Sequence, residues 1–579
     1  MKHLLPYFKK YKIESIIAPL FKMLESCFDL VVPIIVAAII DKGIATGDKT
    51  YIITRFLLLI AMAVCGFCCT IVAQFFAAKA ATGTATGLRR ELMAKIATFS
   101  FAELDKTGAS TLVTRMTSDV NQVQEGLNRF LRLFLRSPFI VFGAMIMAFT
   151  INAQVAIIFV IAIPVLFAIV FGIMRLTSPM YKTVQQNLDS VTNEVREDLN
   201  GVRVIRAFGR EEVQRERFVE ADKRLYKSQI RVGKVAAWMN PLTYLVINAG
   251  IIAILWLSSG KVNDGVLLSG GVIALINYIS QILVELVKLA NVVIVMGKAG
   301  SCLNRIGEVL DAESSIKYAE KEAEEKTDDC SVRFENVSLT YAGAGAESLT
   351  DINVDIKRGS TVGIIGGTGS GKSSLVNLIP RFYDATKGSV FVNGKNVKDM
   401  TREELLSSVA IVDQKPLLFS GTIRSNMQWG KNNATDEEIW RALELAQAAE
   451  FVRKKDGGLD EKVSRGGANF SGGQKQRLSI ARALMTNAPI IIFDDSSSAL
   501  DYATDAALRH ALKTLPKDTT VITVSQRTSS IAHADKIIVL DDGKIAGAGT
   551  HDELLSTCEV YKEIYDSQTK ENEEGECGE

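Results

Sequence analysis

Eight consecutive residues, Gly366-Gly367-Thr368-Gly369-Ser370-Gly371-Lys372-Ser373, carry the densest chemical signal in the chain. The apolar run 362–365 ahead of them predicts a buried strand, and the segment from Ser374 onward predicts a helix. Together they form Gly-x4-Gly-Lys-Ser in a strand–loop–helix setting. Glycines let backbone N–H groups turn inward around phosphate oxygens, and the helix N-terminus adds a partial positive charge. Lys372 is then placed for the β- and γ-phosphates of a nucleotide, with Ser373 placed to hold Mg2+ and Ser374 beside it.

Two later stretches suit the same chemistry. Ile490-Ile491-Ile492-Phe493 predicts a fully buried strand, and it ends in Asp494-Asp495. A carboxylate at that strand end is where a second contact to the metal of a nucleotide is needed, which marks Asp494. Between these motifs lies Phe470-Ser471-Gly472-Gly473-Gln474, followed by a run with helical spacing of apolar residues. A polar, glycine-rich turn that opens a helix can bind phosphate by the same backbone mechanism.

These residues need an α/β scaffold, and the alternation of strands and helices from about residue 330 to 567 predicts one with a largely parallel sheet. The first 305 residues are organised differently. Crossing a bilayer takes roughly 20 mostly apolar residues, and six segments qualify: 16–40, 51–78, 130–150, 155–174, 236–257 and 267–295. The short connections carry only Lys42, Lys49 and Lys261, whereas 79–136 holds nine basic residues and 175–234 holds thirteen. This bias places the two long hairpins and the N-terminus in the cytosol. Residues 1–12 read as a short amphipathic helix on the inner membrane surface rather than a cleaved leader.

Helix breaks are expected at Gly108 in one hairpin, and at Gly201 and Gly209 in the other. Val204, Ile205 and Phe208 beside the latter are apolar but far from lipid, which predicts a protein contact surface. The charged, apolar-poor stretch within 306–329 predicts a linker, and the glutamate-rich 568–579 a solvated tail. A formal net charge of +1 gives no field suited to nucleic acid. The cysteines show no disulfide pattern; Cys65, Cys68 and Cys69 sit in an apolar run without a histidine at ligand spacing. Lys22, Glu25 and Asp29 share about one face of the first apolar helix, and Glu285 and Lys288 are three apart on the sixth. Ionisable groups at such depth usually face an aqueous cavity, so Glu25, Asp29, Glu285 and Lys288 are candidate cavity residues.

The phosphate loop, Ser471–Gln474 and Asp494, in that order behind six apolar helices, resemble the ABC (ATP-binding cassette) exporters over nearly the whole chain. The resemblance implies an α-helical six-span membrane domain followed by an α/β P-loop ATP-binding cassette, with ATP and Mg2+ as cofactors. It implies that Tyr341 stacks on adenine and that Gln414 senses Mg2+ and the membrane domain. Ser471, Gly472, Gly473 and Gln474 would contact ATP held by a partner subunit, and Ser498-Ala499-Leu500-Asp501 would cross between subunits. Three positions depart from the family pattern: Asp495 replaces the glutamate that activates water, Gln526 replaces the switch histidine, and Arg465 stands near a usual glutamate ahead of the signature. Asp is one methylene short of that water, and glutamine cannot carry a proton or full charge.

The expectation is a hydrolysis-impaired site in one half of a heterodimeric, multidrug-type bacterial exporter, paired with a chain whose site is competent. It would sit in the cell membrane, its cassette cytosolic, moving amphipathic drugs or lipids. A slow homodimer, a peptide exporter and an ATP-gated regulatory or channel-like protein of the same fold are the alternatives.

Overall fold

The computed structural model describes residues 2–321 and 329–576. It divides into two compact units: Met1–Ala97 with Ser110–Ala312, and Thr98–Ala109 with Glu313–Glu579.

Six helices in the first unit are long and apolar enough to cross a membrane: Lys12–Ile44, Lys49–Ile96, Ala109–Ile151, Ala153–Ala207, Glu211–Asn263 and Ser269–Asp311. Five of the predicted spans fall within them and the sixth, 267–295, begins two residues ahead of its helix; each helix runs beyond its apolar core. Asp48 and Asn152 start the second and fourth helices by accepting bonds from backbone N–H groups of the first turn. Residues such as Phe56, Leu57, Phe67, Ile71 and Phe75 stay exposed on the second helix, as a lipid-facing surface allows. The buried seam includes Phe159, Leu166, Ile254, Tyr278 and Ile279. Tyr278 is fully buried, and its hydroxyl donates 2.5 Å to the Leu30 carbonyl, joining the sixth helix to the first. The N-terminal helix Leu5–Lys10 packs on the second: Tyr7 donates 2.6 Å to Glu91, and its ring occupies the space a Cβ on Gly87 would fill.

Two local readings are revised. Gly201 does not break the fourth helix, which continues to Ala207; the chain turns at Phe208–Arg210, where Gly209 has φ +59°. A helical glycine costs only about 1 kcal/mol relative to alanine, less than is gained by continuing the helix. The sixth helix also runs to Asp311, so the connector starts later than residue 306, and its 322–328 portion lies outside the described residues.

The segment 98–109, read from sequence as part of the membrane domain, clusters with the second unit. Its helix Phe101–Thr107 opens on a Ser100/Glu103 capping box and closes at Gly108, φ +77°. Glu103 accepts a 3.1 Å bond from the Ser315 amide, the Phe101 and Phe382 rings lie 4.4 Å apart, and the Tyr383 hydroxyl donates 2.6 Å to Asp105. Neither the aromatic contact nor the tyrosine bond has a local sequence signature.

The rest of the second unit is α/β. A six-stranded sheet runs in the order Lys544–Gly549, Lys536–Asp541, Thr361–Gly366, Thr520–Val524, Ile490–Asp494, Val409–Val412. All neighbours are parallel except the first pair. Leu349–Lys357, Cys330–Leu339, Lys387–Val392 and Lys395–Asn396 form an antiparallel sheet. The last helix, Glu559–Glu576, carries regular structure into the segment predicted as an acidic tail, while 577–579, including Cys577, lie outside the described residues.

Replacing Tyr278 by Phe keeps the ring and removes the buried hydroxyl. The expected loss is about 1 kcal/mol, read as a lower unfolding midpoint of the full chain in detergent. An unchanged midpoint would show that the Leu30 contact contributes nothing.

Candidate nucleotide site

The parallel sheet delivers the predicted residues to one edge. The strand Thr361–Gly366 runs into the phosphate loop, and the helix Lys372–Leu378 follows at once. Gly371 adopts φ +94°, and a Cβ there would meet the Ser348 carbonyl and Leu349 side chain at 2.8 Å, so the tight turn requires glycine. A cavity of about 590 Å³ opens over the loop, lined by Thr368, Lys372, Ser373, Gln414, Asp494, Asp495 and Gln526 among others.

Lys372 lies buried, and its Nζ donates to the Gly366 and Gly367 carbonyls at 2.9 and 2.7 Å. Burial pushes its pKa below the ordinary lysine value, opposed by the charges of Asp495 and Asp494. Ser373 Oγ donates 3.0 Å to Asp494 Oδ1. Burial raises the Asp494 carboxyl, against the bond from Ser373 and with help from the charge of Asp495. A serine hydroxyl, a carboxylate and the amide oxygen of Gln414 on one cavity form a hard oxygen set that suits Mg2+ held partly by phosphates and water.

Asp495 has a distinct setting. Its backbone takes φ +45° at the strand end. Its Oδ2 accepts from Gln414 Nε2 at 2.9 Å and from Gln526 Nε2 at 3.1 Å. Two amides thus fix the orientation of the Asp495 carboxylate through one of its two oxygens. Gln526 is held in turn by Gln568, which sequence reading assigned to the tail. Gln568 Nε2 donates 2.7 Å to the Gln526 carbonyl, and its Oε1 accepts from the Thr528 amide and hydroxyl, each at 2.9 Å. A lone glutamine forty residues downstream carries no motif that could reveal this contact.

Tyr341 lies beside the loop, its hydroxyl donating 3.0 Å to Ser374 and its ring edge-on to Tyr383 at 5.0 Å. Ser471–Gln474 stand apart: none of them lines this cavity among the described residues. Ser471 caps the helix Gly472–Leu484 in a reciprocal box, its Oγ accepting from Gln474 N while Gln474 Oε1 accepts from Ser471 N. Gln474 is thereby engaged locally, whereas a Cβ on Gly472 would meet nothing within 4 Å. Leu500 is buried, and Asp501 caps the next helix by accepting 2.6 Å from Thr504 N. Arg465 is exposed.

Comparison with known proteins agrees with this geometry. Residues 15–286 match the ABC transporter transmembrane region, and 349–498 match the ABC transporter domain. An uncharacterized ABC transporter ATP-binding protein of Mycobacterium tuberculosis is 36% identical over 555 residues, covering 95% of each chain. The chain belongs to the ABC transporters. Another uncharacterized ABC transporter ATP-binding protein, from Bacillus subtilis, is 34% identical over 98% of each chain. The ATP-dependent lipid A-core flippase of Escherichia coli is 28% identical over 98% of this chain and 97% of that protein. The fold matches a bacterial Atm1-family ABC exporter with ATP bound, at a TM-score of 0.80 and 22% identity over 97% of this chain and 98% of that one. The chain is an integral membrane half-transporter, with one membrane domain and one ATP-binding domain.

Lys372→Ala should weaken binding of a fluorescent ATP analogue by roughly ten-fold or more, since a charge-assisted phosphate contact is lost. Gly472→Asp should leave that binding, and the unfolding midpoint, unchanged. Comparable weakening by both substitutions would place the signature in this chain's own site.

Proposed function

We propose that this chain is the half of a heterodimeric ABC exporter whose own ATP site binds nucleotide but hydrolyses it poorly, and that the complex exports amphipathic small molecules. The observation that carries the reading is Asp495 Oδ2, bonded to the amides of both Gln414 and Gln526. A group that activates water must reach it, which is typically worth about 10² to 10⁴ in rate, and Asp495, one methylene shorter than glutamate, is held towards these two amides. Binding and hydrolysis thus separate: Lys372, Ser373, Asp494 and the loop glycines retain the means to hold a nucleotide.

Tyr341 would stack on the adenine, with Ser373, Asp494 and the amide oxygen of Gln414 holding Mg2+. The ion would supply positive charge that offsets the charge of the phosphates. Gly472 and the capped helix start at Ser471 line no part of this cavity among the described residues, and a Cβ on Gly472 would meet open space, which suits them to ATP held by a partner chain. A second chain is also favoured by apolar surface that lipid would not cover. Leu199, Val204 and Phe208 are 71%, 61% and 75% exposed at the hairpin tip, and Leu417, Phe419 and Trp429 are exposed on the cassette. The basic hairpins support a cytosolic cassette. Likeness to a lipid A-core flippase supports a lipid-like or drug-like substrate.

The test is ATPase activity of the chain alone, and co-expressed with a half-transporter that has Glu and His at the positions of Asp495 and Gln526. Activity should be low alone and restored in the pair; turnover by the single chain comparable to the pair rejects the proposal. Within the pair, Gly472→Asp should abolish most activity, whereas Asp495→Asn should change it less than about two-fold, well short of the loss expected for a working base. The reverse pattern would move hydrolysis to this chain's site.

A further inference from the structure

The membrane unit contains a cavity of about 580 Å³ whose lining includes charge from three helices. Asp29 comes from the first membrane helix, Arg136 from the third, and Glu285 and Lys288 from the sixth. At 1.5 Å per residue, Asp29 lies about 18 Å from Asp41 at one end of its helix, and Glu285 about 24 Å from Ser269. Asp41 accepts 2.6 Å from the Gly270 amide, so both counts start from joined helix ends. The charges therefore sit well inside a hydrocarbon layer roughly 30 Å thick, where ionisable groups persist when they serve a pathway.

The charges divide into a buried pair and an accessible pair. Arg136 donates 3.2 Å to Glu285, and their side chains are 11% and 5% exposed. Ser137 also donates to Glu285, at 2.9 Å. Asp29 accepts from Arg136 at 2.9 Å and Lys288 donates to Glu285 at 2.8 Å, yet each of these outer groups is 42% exposed. Asp29 and Lys288 are each bonded on one side to a buried partner, and their exposed sides give the cavity one accessible carboxylate and one accessible ammonium on different helices. Gln281, also on the wall, has a buried Oε1 with no hydrogen-bond partner. The remaining wall includes Val32, Val36 and Val284.

We infer that this cavity takes the head of a zwitterionic amphiphile, its cationic group against Asp29 and its anionic group against Lys288, with its apolar part along the valine wall. A ligand of single charge gains an opposite charge at only one of Asp29 and Lys288, in a setting that screens charge weakly, whereas a zwitterion gains one at both. The inference deepens the exporter reading above and rests on it for physiological meaning. Equilibrium binding requires no turnover, however, so it is measured separately from that reading.

The experiment uses the full chain in a neutral sugar detergent, with lysophosphatidylethanolamine as the zwitterionic probe, lysophosphatidylglycerol as the anionic one and dodecyltrimethylammonium as the cationic one. The zwitterion should bind about ten-fold tighter than either singly charged probe. Asp29→Asn should weaken it and turn the preference towards the anion; Lys288→Gln should weaken it and turn the preference towards the cation. Both side chains are partly exposed, so the unfolding midpoint should confirm that each variant folds. Equal binding of a singly charged probe, or an unchanged ranking in both variants, overturns the inference. Tailless glycerophosphoethanolamine separates a lipid head from a water-soluble zwitterion, and affinity equal to the lipid probe overturns the amphiphile. ATP-driven uptake into inverted vesicles reads the exporter function independently of any of these results.

Discussion

The nucleotide site depends on the parallel register of four buried strands. Val524 pairs with Ile364 on one side and Asp494 on the other, and Val412 pairs with Phe493. Because these strands run the same way and end together, Gly366, Gln526, Asp494 and Gln414 emerge at one edge, although up to 160 residues separate them. This is the carboxyl edge, where ligands of open α/β sheets bind. A slip of one residue would turn the pleat of a strand and send its terminal side chain to the other face. Apolar residues buried on both faces of strands such as Ile490–Asp494 hold that register.

At this edge, identical side chains meet different partners. Asp494 and Asp495 are neighbours, but Asp494 bonds to the phosphate-loop serine whereas Asp495 bonds to two glutamine amides. The left-handed backbone at Asp495 turns its side chain across the sheet edge towards Gln414 and Gln526. The terminal helix joins this arrangement through Gln568, which fixes the loop bearing Gln526 by three hydrogen bonds. The surroundings of Asp495 are therefore set by a network to which a residue far from the phosphate loop contributes.

The membrane unit obeys a different constraint. Lipid cannot satisfy polar groups, so its ionisable side chains must meet one another. Lys22 pairs with Glu25 at 2.5 Å, while Arg136 reaches Glu25, Asp29 and Glu285. Sequence spacing indicated a shared face for Lys22, Glu25 and Asp29, and proximity of Glu285 to Lys288, because i+3 and i+4 neighbours follow from helix geometry. It did not indicate Arg136, which lies more than 100 residues from either group and reaches them only through helix packing.

By itself the sequence determined the six apolar spans, the phosphate loop with its strand and helix, the aspartate-ended strand and the ABC family. Each of these is encoded locally, by apolar length, by glycine placement or by strand burial. Tertiary structure alone decided that Gln414 and Gln526 share one oxygen of Asp495, that Gln568 holds the loop bearing Gln526, and that Arg136 joins three membrane helices. It also decided that residues 98–109 cluster with the nucleotide-binding unit and that the fourth helix runs through Gly201. These outcomes depend on which side chains meet across long chain separations, and on packing energies that outweigh local propensity; no short window of sequence contains either.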